Sequence, residues 1–342
     1  MDNATISIVS ERAGVSKTTI SRYLNGKYEH MSEKTKLRIK DIIEELDYRP
    51  NIVARSLKSK KTGLIGVIVS DITNPVTINL VKGIIDHCTK EGYQVLTASS
   101  DEKTTKEKEY ILSMVDRQVE GLIVNIVDFN DYDLLESLTS KGVKIVLADR
   151  TISAPFLDMV TTDNYTMTRK AIRALYDKGF GIVGLFSSDL LKSNVRLARY
   201  NAFLEESLEY VQNPHNLVYL FRGEKIDEYK CALKQFLALA EQNKKQKPAI
   251  FASTPMALLN LLSASQELDL CVPKDLGICG YDNLHWTQLV GGGISVIEQP
   301  FYDVGVESAK ILIGRVREDF LDNNPAYVEL KSRLIFRNST NI

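Results

Sequence analysis

Hydrophobic and polar positions change their period twice along this chain. In the first stretch they recur at helical spacing, so that Ile6, Val9, Ala13, Val15, Ile20 and Leu24 can be buried together. That pattern turns Lys17, Thr18, Ser21 and Arg22 outward on the second of two short helices. The two helices meet at Ala13-Gly14-Val15-Ser16. Gly14 suits the positive φ that ends one helix and turns the chain sharply, and Ser16 is a good N-cap for the next. A third helix is expected from 32 to about 46, with Ile39, Ile42, Ile43 and Leu46 on its inner face. Short polar and basic side chains at the start of an exposed second helix suit a helix-turn-helix that enters the major groove.

The period then breaks. Arg49-Pro50-Asn51 opens a short helical stretch, 52–57, and a basic linker ends at Gly63. So short a helix is marginal alone in water. It can form when two copies pack together on DNA and melt otherwise.

From Leu64 onward, continuous apolar runs alternate with amphipathic helices. Strands are expected at 64–70, 93–99, 121–127, 144–149, 159–162, 181–186, 217–220, 249–253 and 276–281. Such runs imply parallel sheets covered on both faces. Nine strands exceed one comfortable sheet, which predicts two lobes. No internal repeat is visible in the letters, and no low-complexity segment.

Composition adds a division of charge. The 342 residues suggest two to three domains. With 44% hydrophobic and 25% charged residues, the chain reads as soluble and globular. Net charge is −1, yet residues 1–61 carry 13 Lys+Arg against 8 Asp+Glu, and the remainder 30 against 36. A basic head on an acidic body suits contact of the head with phosphate backbone. Cys88, Cys231, Cys271 and Cys279 are widely spaced, which predicts buried, reduced thiols in a cytosolic protein. His30, His87, His215 and His285 have no ligand spacing, so no metal is expected. No signal peptide and no membrane-spanning run is seen, so a cytoplasmic protein with no membrane partner is expected. No Walker loop, GxGxxG, GxSxG elbow or Cys/His pair argues for an enzyme or a cofactor. Asp149 and Asp282 alone could be called an acid–base pair.

The segments AGVSKTTISRYLNG, MSEKT and ELDYRPNIVARSLKS resemble the LacI/GalR family of bacterial transcriptional repressors. DITNP (71–75), EGYQVL (91–96), VEGLIV (119–124), ADR (148–150), TTDN (161–164), GICGYDN (277–283) and LIFRNST (334–340) continue the likeness over nearly the whole chain. The resemblance implies an α/β protein with three parts. These are a helix-turn-helix head (1–48), a hinge helix and linker (49–62), and a core (63–342) of the periplasmic-binding-protein type. That core would have two doubly wound parallel-sheet lobes joined by three crossing segments.

It implies a repressor whose partners are operator DNA and a small sugar or sugar-acid effector, working as a homodimer and without a cofactor. Lys17 and Thr18 stand at base-reading positions, and Arg22 suits a bidentate guanine contact. Thr19, Ser21 and Asn25 resemble phosphate contacts, and Thr5 and Ser16 lie near helix starts that can face phosphate. Leu57 corresponds to a leucine that wedges into the minor groove, with Asn51, Ala54, Arg55 and Lys58 as DNA-facing neighbours. Ile8 and Ser10 depart from the usual acidic residue and alanine. No leucine heptad follows RNST, so a dimer without a tetramerising tail is expected.

Ligands of doubly wound lobes bind beyond the carboxyl ends of strands. Asp71, Asn74, Asn125, Asp149, Arg150 and Asp282 fall at or just after such ends. Arg196, in RLARY, resembles the family arginine that grips the effector, and Arg199 replaces a usual small residue. Ser253 lies in AST (252–254), where the family often has Ala-Asn-Asp, so a typical neutral-sugar contact is not carried over. Trp286 is the only Trp, and is read either as a cover for a sugar ring or as a plug under the Asp282 loop. Arg150 and Arg196 together favour an acidic sugar derivative. The GYDN region also resembles repressors of hexuronate, gluconate or keto-deoxy-gluconate use. Two rivals stay open: a transport-type sugar-binding protein, and an α/β enzyme fused to a DNA-binding head.

Overall fold

The computed structural model describes residues 4–48, 62–153, 156–191, 193–223, 225–242, 247–320, 322 and 324–341. The chain divides into two compact units, Met1–Thr62 and Gly63–Ile342.

In the first unit, α1 (Ile6–Arg12), α2 (Lys17–Leu24) and α3 (Glu33–Glu45) are each opened by a hydroxyl. Thr5, Ser16 and Ser32 accept from the backbone N–H of Ile8 (3.4 Å), Thr19 (3.1 Å) and Thr35 (3.3 Å). These bonds satisfy amide groups that no intrahelical partner can reach. Gly14 makes the turn at φ +59. Val9, Ala13, Ile20 and Ile39 are wholly enclosed, with Val15, Leu24, Ile42, Ile43 and Leu46 packed around them. Ser10 is buried, and its hydroxyl donates to the Ser7 carbonyl at 2.8 Å, so no polar atom is left unpaired there. Ile8 is on the surface. The hinge candidates Asn51, Ala54, Arg55, Leu57 and Lys58 lie outside the described residues.

The second unit holds two six-stranded sheets among the described residues. The strands are β1 (Leu64–Val69), β2 (Gln94–Ser99), β3 (Gly121–Val124), β4 (Ile145–Ala148), β5 (Asp158–Thr162), β6 (Ile182–Ser188), β7 (Val218–Phe221), β8 (Pro248–Ala252), β9 (Gly277–Tyr281), β10 (Ser295–Glu298), β11 (Tyr327–Leu330) and β12 (Arg333–Ile335). One sheet runs β11-β5-β4-β3-β1-β2 and the other β12-β10-β9-β8-β6-β7. All pairings are parallel except that of β12 with β10. The two orders are the same, so the core is a structural repeat that the letters did not reveal. Strands β10, β11 and β12 also escaped the pattern. They have three or four residues each, too few to show a period.

Burial explains why the strands read as continuous apolar runs. In β1, Ile65, Val67 and Val69 meet Leu80, Ile84 and Val304 on one face, while Ile68 meets Leu122 and Leu147 on the other. The helices Pro75–Lys90 and Phe301–Arg317 lie backbone to backbone. A Cβ on Gly83 would sit 2.1 Å from the Tyr302 carbonyl oxygen, and one on Gly305 2.1 Å from that of Leu80. This contact returns the late helix to the first lobe.

The chain passes between the sheets at Asp163, at Gln299-Pro300 and at Lys331-Ser332. Polar bonds tie the three passages together. Thr162 donates its hydroxyl to Gln299 Oε1 at 2.6 Å, and the Ser332 N–H donates to Asp163 Oδ1 at 2.8 Å. The cysteine expectation needs correction. All four thiols are free, but only Cys88 and Cys279 are buried, whereas Cys231 and Cys271 are exposed.

Candidate functional site

On the head, the outward side of α2 presents Lys17, Thr18, Ser21 and Arg22, all exposed. Among the described residues, none of these four side chains has a hydrogen-bond or ion-pair partner, so each is available to a ligand. Thr5, Ser16, Thr19 and Asn25 are engaged locally. Thr5 caps α1. Ser16 and Thr19 hydroxyls share a 2.9 Å bond, and the Asn25 amide donates to the Ser21 carbonyl at 2.8 Å. These bonds shape the ends of the helices.

In the core, a cleft of about 490 Å³ opens between the lobes at the carboxyl ends of the strands. Asp71, Asn74, Asp149, Arg150, Arg196, Asp282 and Trp286 line it, together with Glu102, Arg199, Arg222 and Gln299. Asn125 and Ser253 stand behind its wall. Asn125 accepts from the Ser70 hydroxyl at 2.6 Å and donates to Asp149 Oδ2 at 3.2 Å. Ser253 is fully buried and bonds Ser187 Oγ at 2.6 Å. Each is the first residue after its strand, and its side chain is spent on bonds within the wall.

Asp149 and Asp282 hold equivalent places. Each is the first residue after β4 or β9, and each N–H donates across to the neighbouring strand, at 2.8 Å, to Val160 or Ile297. Each has a left-handed φ, +69 and +74. Asp tolerates that conformation better than most residues, and it turns both carboxylates into the cleft. Their partners differ. Asp282 accepts from the Gln299 amide at 2.7 Å. Asp149 Oδ1 is buried and has no hydrogen-bond partner. Burial raises the Asp149 carboxyl above its ordinary value against the pull of Arg150 and Arg199. Burial pushes Asp282 up to about 6, with Asp149 adding to the rise and Arg199 and Gln299 opposing it.

The cations are likewise distinct. Arg150 is buried, and its guanidinium forks onto the Glu102 carboxylate while also donating to the Ile126 and Val127 carbonyls at 3.2 and 3.3 Å. It lines the cleft with its donors already engaged. Arg196, at the start of the helix Asn194–Ser207, donates to the Asp189 carbonyl at 2.9 Å. Burial and the charge of Arg150 lower its pKa, while Glu102 opposes the change. Arg199, from the same helix, is buried and donates to Asn164 Oδ1 (2.8 Å), the Ser253 carbonyl (2.6 Å) and Gln299 Oε1 (3.1 Å). Its guanidinium carbon lies 3.5 Å from the centre of the Tyr281 ring. Trp286 is half-buried, touching the second-lobe core on one side and the cleft on the other. Asp71 and Asn74 organise the turn into the helix Pro75–Lys90: Asp71 Oδ1 accepts from the Thr73 N–H and hydroxyl, and Asn74 caps the helix.

Sequence reasoning did not assign Glu102, Arg199, Arg222 or Gln299 to the cleft. Glu102 and Arg222 fall just past the ends of β2 and β7, so the strand-end rule would have found them. Arg199 stands out in the sequence only as a departure from the family's usual small residue. Gln299 follows β10, a strand that was not foreseen.

A helix-turn-helix and a two-lobed core with a polar interlobe cleft define a ligand-responsive DNA-binding regulator. Residues 5–51 match the model for bacterial regulatory proteins of the lacI family, and residues 65–312 match that for a periplasmic binding protein domain. The transcriptional regulator KdgR of Bacillus subtilis is 36% identical, with 98% of each chain covered. Catabolite control protein A of Priestia megaterium is 31% identical, with 99% of each covered. The lac repressor dimer bound to operator and the anti-inducer ONPF shares the fold, with a TM-score of 0.82, 23% identity and 99% of each chain covered. The chain belongs to the lacI family of bacterial transcription regulators, whose members regulate transcription and are not enzymes.

Proposed function

We propose that this protein is a cytoplasmic, dimeric repressor of a carbohydrate-use operon, and that a sugar acid held between its lobes sets its operator affinity. The observation that carries the effector reading is Asp149 Oδ1, a buried acceptor without a donor at the wall of the cleft. An unpaired buried acceptor is costly, and a ligand hydroxyl relieves that cost. Asp282 offers a second acceptor to a hydroxyl, and Arg196 offers donors to a carboxylate. Polyol and acid in one small molecule meet both demands. The lac repressor is described bound to operator and the anti-inducer ONPF, and CelR as a complex with cellobiose.

On DNA, Arg22 and Lys17 read bases in the major groove of each half-site, with Thr18 beside them. Thr5, Ser16, Thr19, Ser21 and Asn25 meet the phosphates. Leu57 enters the minor groove, flanked by Asn51, Ala54, Arg55 and Lys58. Closure of the cleft moves one lobe of each subunit and thereby alters the grip on the operator.

The test is operator binding by fluorescence anisotropy with and without aldonic and uronic acids. One such acid should change operator affinity at least tenfold and should itself remain unaltered, as recovered by chromatography. A response to neutral sugars alone would refute the acid, and turnover would refute the regulator. In the same assay Arg22→Ala should cost about 1–3 kcal/mol on the operator and little on random DNA. Equal loss on both would remove Arg22 from base reading.

A further inference from the structure

Arg196 faces a carboxylate of the opposite lobe. Its Nη2 lies 3.7 Å from Glu102 Oε1, beyond hydrogen-bond reach but within ion-pair range. Glu102 reaches that place from a turn in which two successive residues, Asp101 and Glu102, take left-handed φ values of +52 and +55. Neither is a glycine, so the turn is held against its own preference. It is fastened by the Glu102 N–H, which donates to the Ser70 carbonyl at 2.7 Å, and by the fork of Arg150 on the Glu102 carboxylate. Burial acts to raise the Glu102 carboxyl, but the hydrogen bonds and charge of Arg150, with the charge of Arg196, hold it below the ordinary value. Glu102 is therefore a fixed anion at the cleft wall.

We propose that Glu102 is a built-in counter-ion for Arg196 which the effector's carboxylate replaces, and that it thereby limits how strongly the cleft prefers acids over neutral sugars. The inference rests on the sugar-acid reading above. With the cleft empty, Glu102 partly neutralises Arg196 across the gap. A carboxylate entering the cleft can approach Arg196 closely enough for two charge-assisted hydrogen bonds, which Glu102 at 3.7 Å does not make. Glu102 keeps Arg150 as its partner throughout, so no buried charge is left alone. Because Glu102 already offsets part of the Arg196 charge, an entering carboxylate gains less from that guanidinium than it otherwise would, and acids lose affinity relative to neutral polyols.

Matched pairs of probes test this: gluconate against glucitol, and galacturonate against galactose, titrated calorimetrically into the full-length protein. In Glu102→Gln the ratio of acid to neutral affinity should rise about tenfold, and the rise should vanish when Arg196→Gln is added. Glu102→Asp keeps a carboxylate for Arg150 but shortens its reach to Arg196. It should shift the ratio the same way and less, and it serves if the glutamine variant does not fold. A ratio unchanged or lowered while the acid still binds the native protein would overturn the role of Glu102 and leave the acid reading standing. A rise that persists without Arg196 would overturn it as well, since the charge would then act on the ligand directly. If only the neutral partners bind, or none of the four does, the sugar-acid reading fails and this inference with it.

Discussion

The two lobes of the core have one strand order and opposite chemistry. In both, an aspartate at left-handed φ follows the third strand from the β11 or β12 edge and bonds the first residue after an adjacent strand, Asn125 or Gln299. In the first lobe that aspartate, Asp149, keeps an unpaired buried oxygen, and the local cation, Arg150, is neutralised by Glu102. In the second lobe Asp282 is satisfied by Gln299, while Arg196 and Arg199 donate only to neutral oxygens. The first lobe thus offers an unpaired acceptor, and the second offers positive charge beside an acceptor that is already bonded. A repeated scaffold places groups at the same sites in each half, and substitution at those sites makes the halves complementary to the two ends of one ligand.

The sharpest way to break this comparison is Arg199→Met. It takes a donor from the Ser253 carbonyl, from Asn164 Oδ1 and from Gln299 Oε1, which keeps the Thr162 hydroxyl, and it strips positive charge from beside two buried carboxylates. The core should lose about 3–5 kcal/mol in denaturant unfolding, and Arg199→Lys should recover part of it. A loss below 1 kcal/mol would mean that Arg199 is not the electrostatic partner of Asp149 and Asp282.

Arg196→Ala tests the positive end of the ligand site. Effector affinity measured by calorimetry should fall by about 2–3 kcal/mol, because an anionic group loses its charged donor. An unaltered affinity would move the acid-binding end elsewhere in the cleft.

Asp282 gives a pH signature to the other end. A ligand hydroxyl donating to this carboxylate favours the ionised form, so binding requires the proton to leave. With the carboxyl raised to about 6 by burial, affinity should be about tenfold weaker at pH 5 than at pH 7. Asp282→Asn should flatten that profile. For stability the direction reverses. A raised carboxyl penalises the ligand-free fold above pH 6, and the penalty is relieved as the pH falls toward about 4. A binding profile flat from pH 7 to 5 would exclude a hydroxyl contact at Asp282.

The smallest expected effect is at the rim. Asn194 donates to Thr151 Oγ1 at 2.6 Å and accepts from its N–H at 3.2 Å, linking the lobes in the absence of ligand. Asn194→Ala should lower the ligand-free unfolding free energy by about 1 kcal/mol. No change would show that the lobes are not held by this pair.

Helical and apolar periods, caps and charge were legible in the letters because they are set by neighbours in sequence. Gly14 and Ser16 mark the turn between helices, Ile39 marks the inner face of α3, and Asp149 and Asp282 follow strands recognisable by their apolar runs. The strand-end rule put most of the cleft candidates in the right neighbourhood, although it could not tell Asp149, which faces the cleft, from Asn125, which lies one layer behind. Partners remote in sequence were not legible. Thr162 meets Gln299 across 137 positions, and Arg199 meets Gln299 across 100. A periodic pattern specifies which face of an element is buried, not which distant element covers it.

The sequence by itself therefore determined the helix-turn-helix head, the alternating α/β body, and arginines and aspartates near a cleft. Only the tertiary structure decided that the two sheets share one strand order, which bonds tie the three crossings together, that Arg150 is committed to Glu102 while Arg196 is not, and that Arg199 joins the crossing segments to the cleft. The physical reason is that local backbone preference and hydrophobic period act over a few residues, whereas the ionic and hydrogen-bonding state of a buried group depends on every chain segment packed against it.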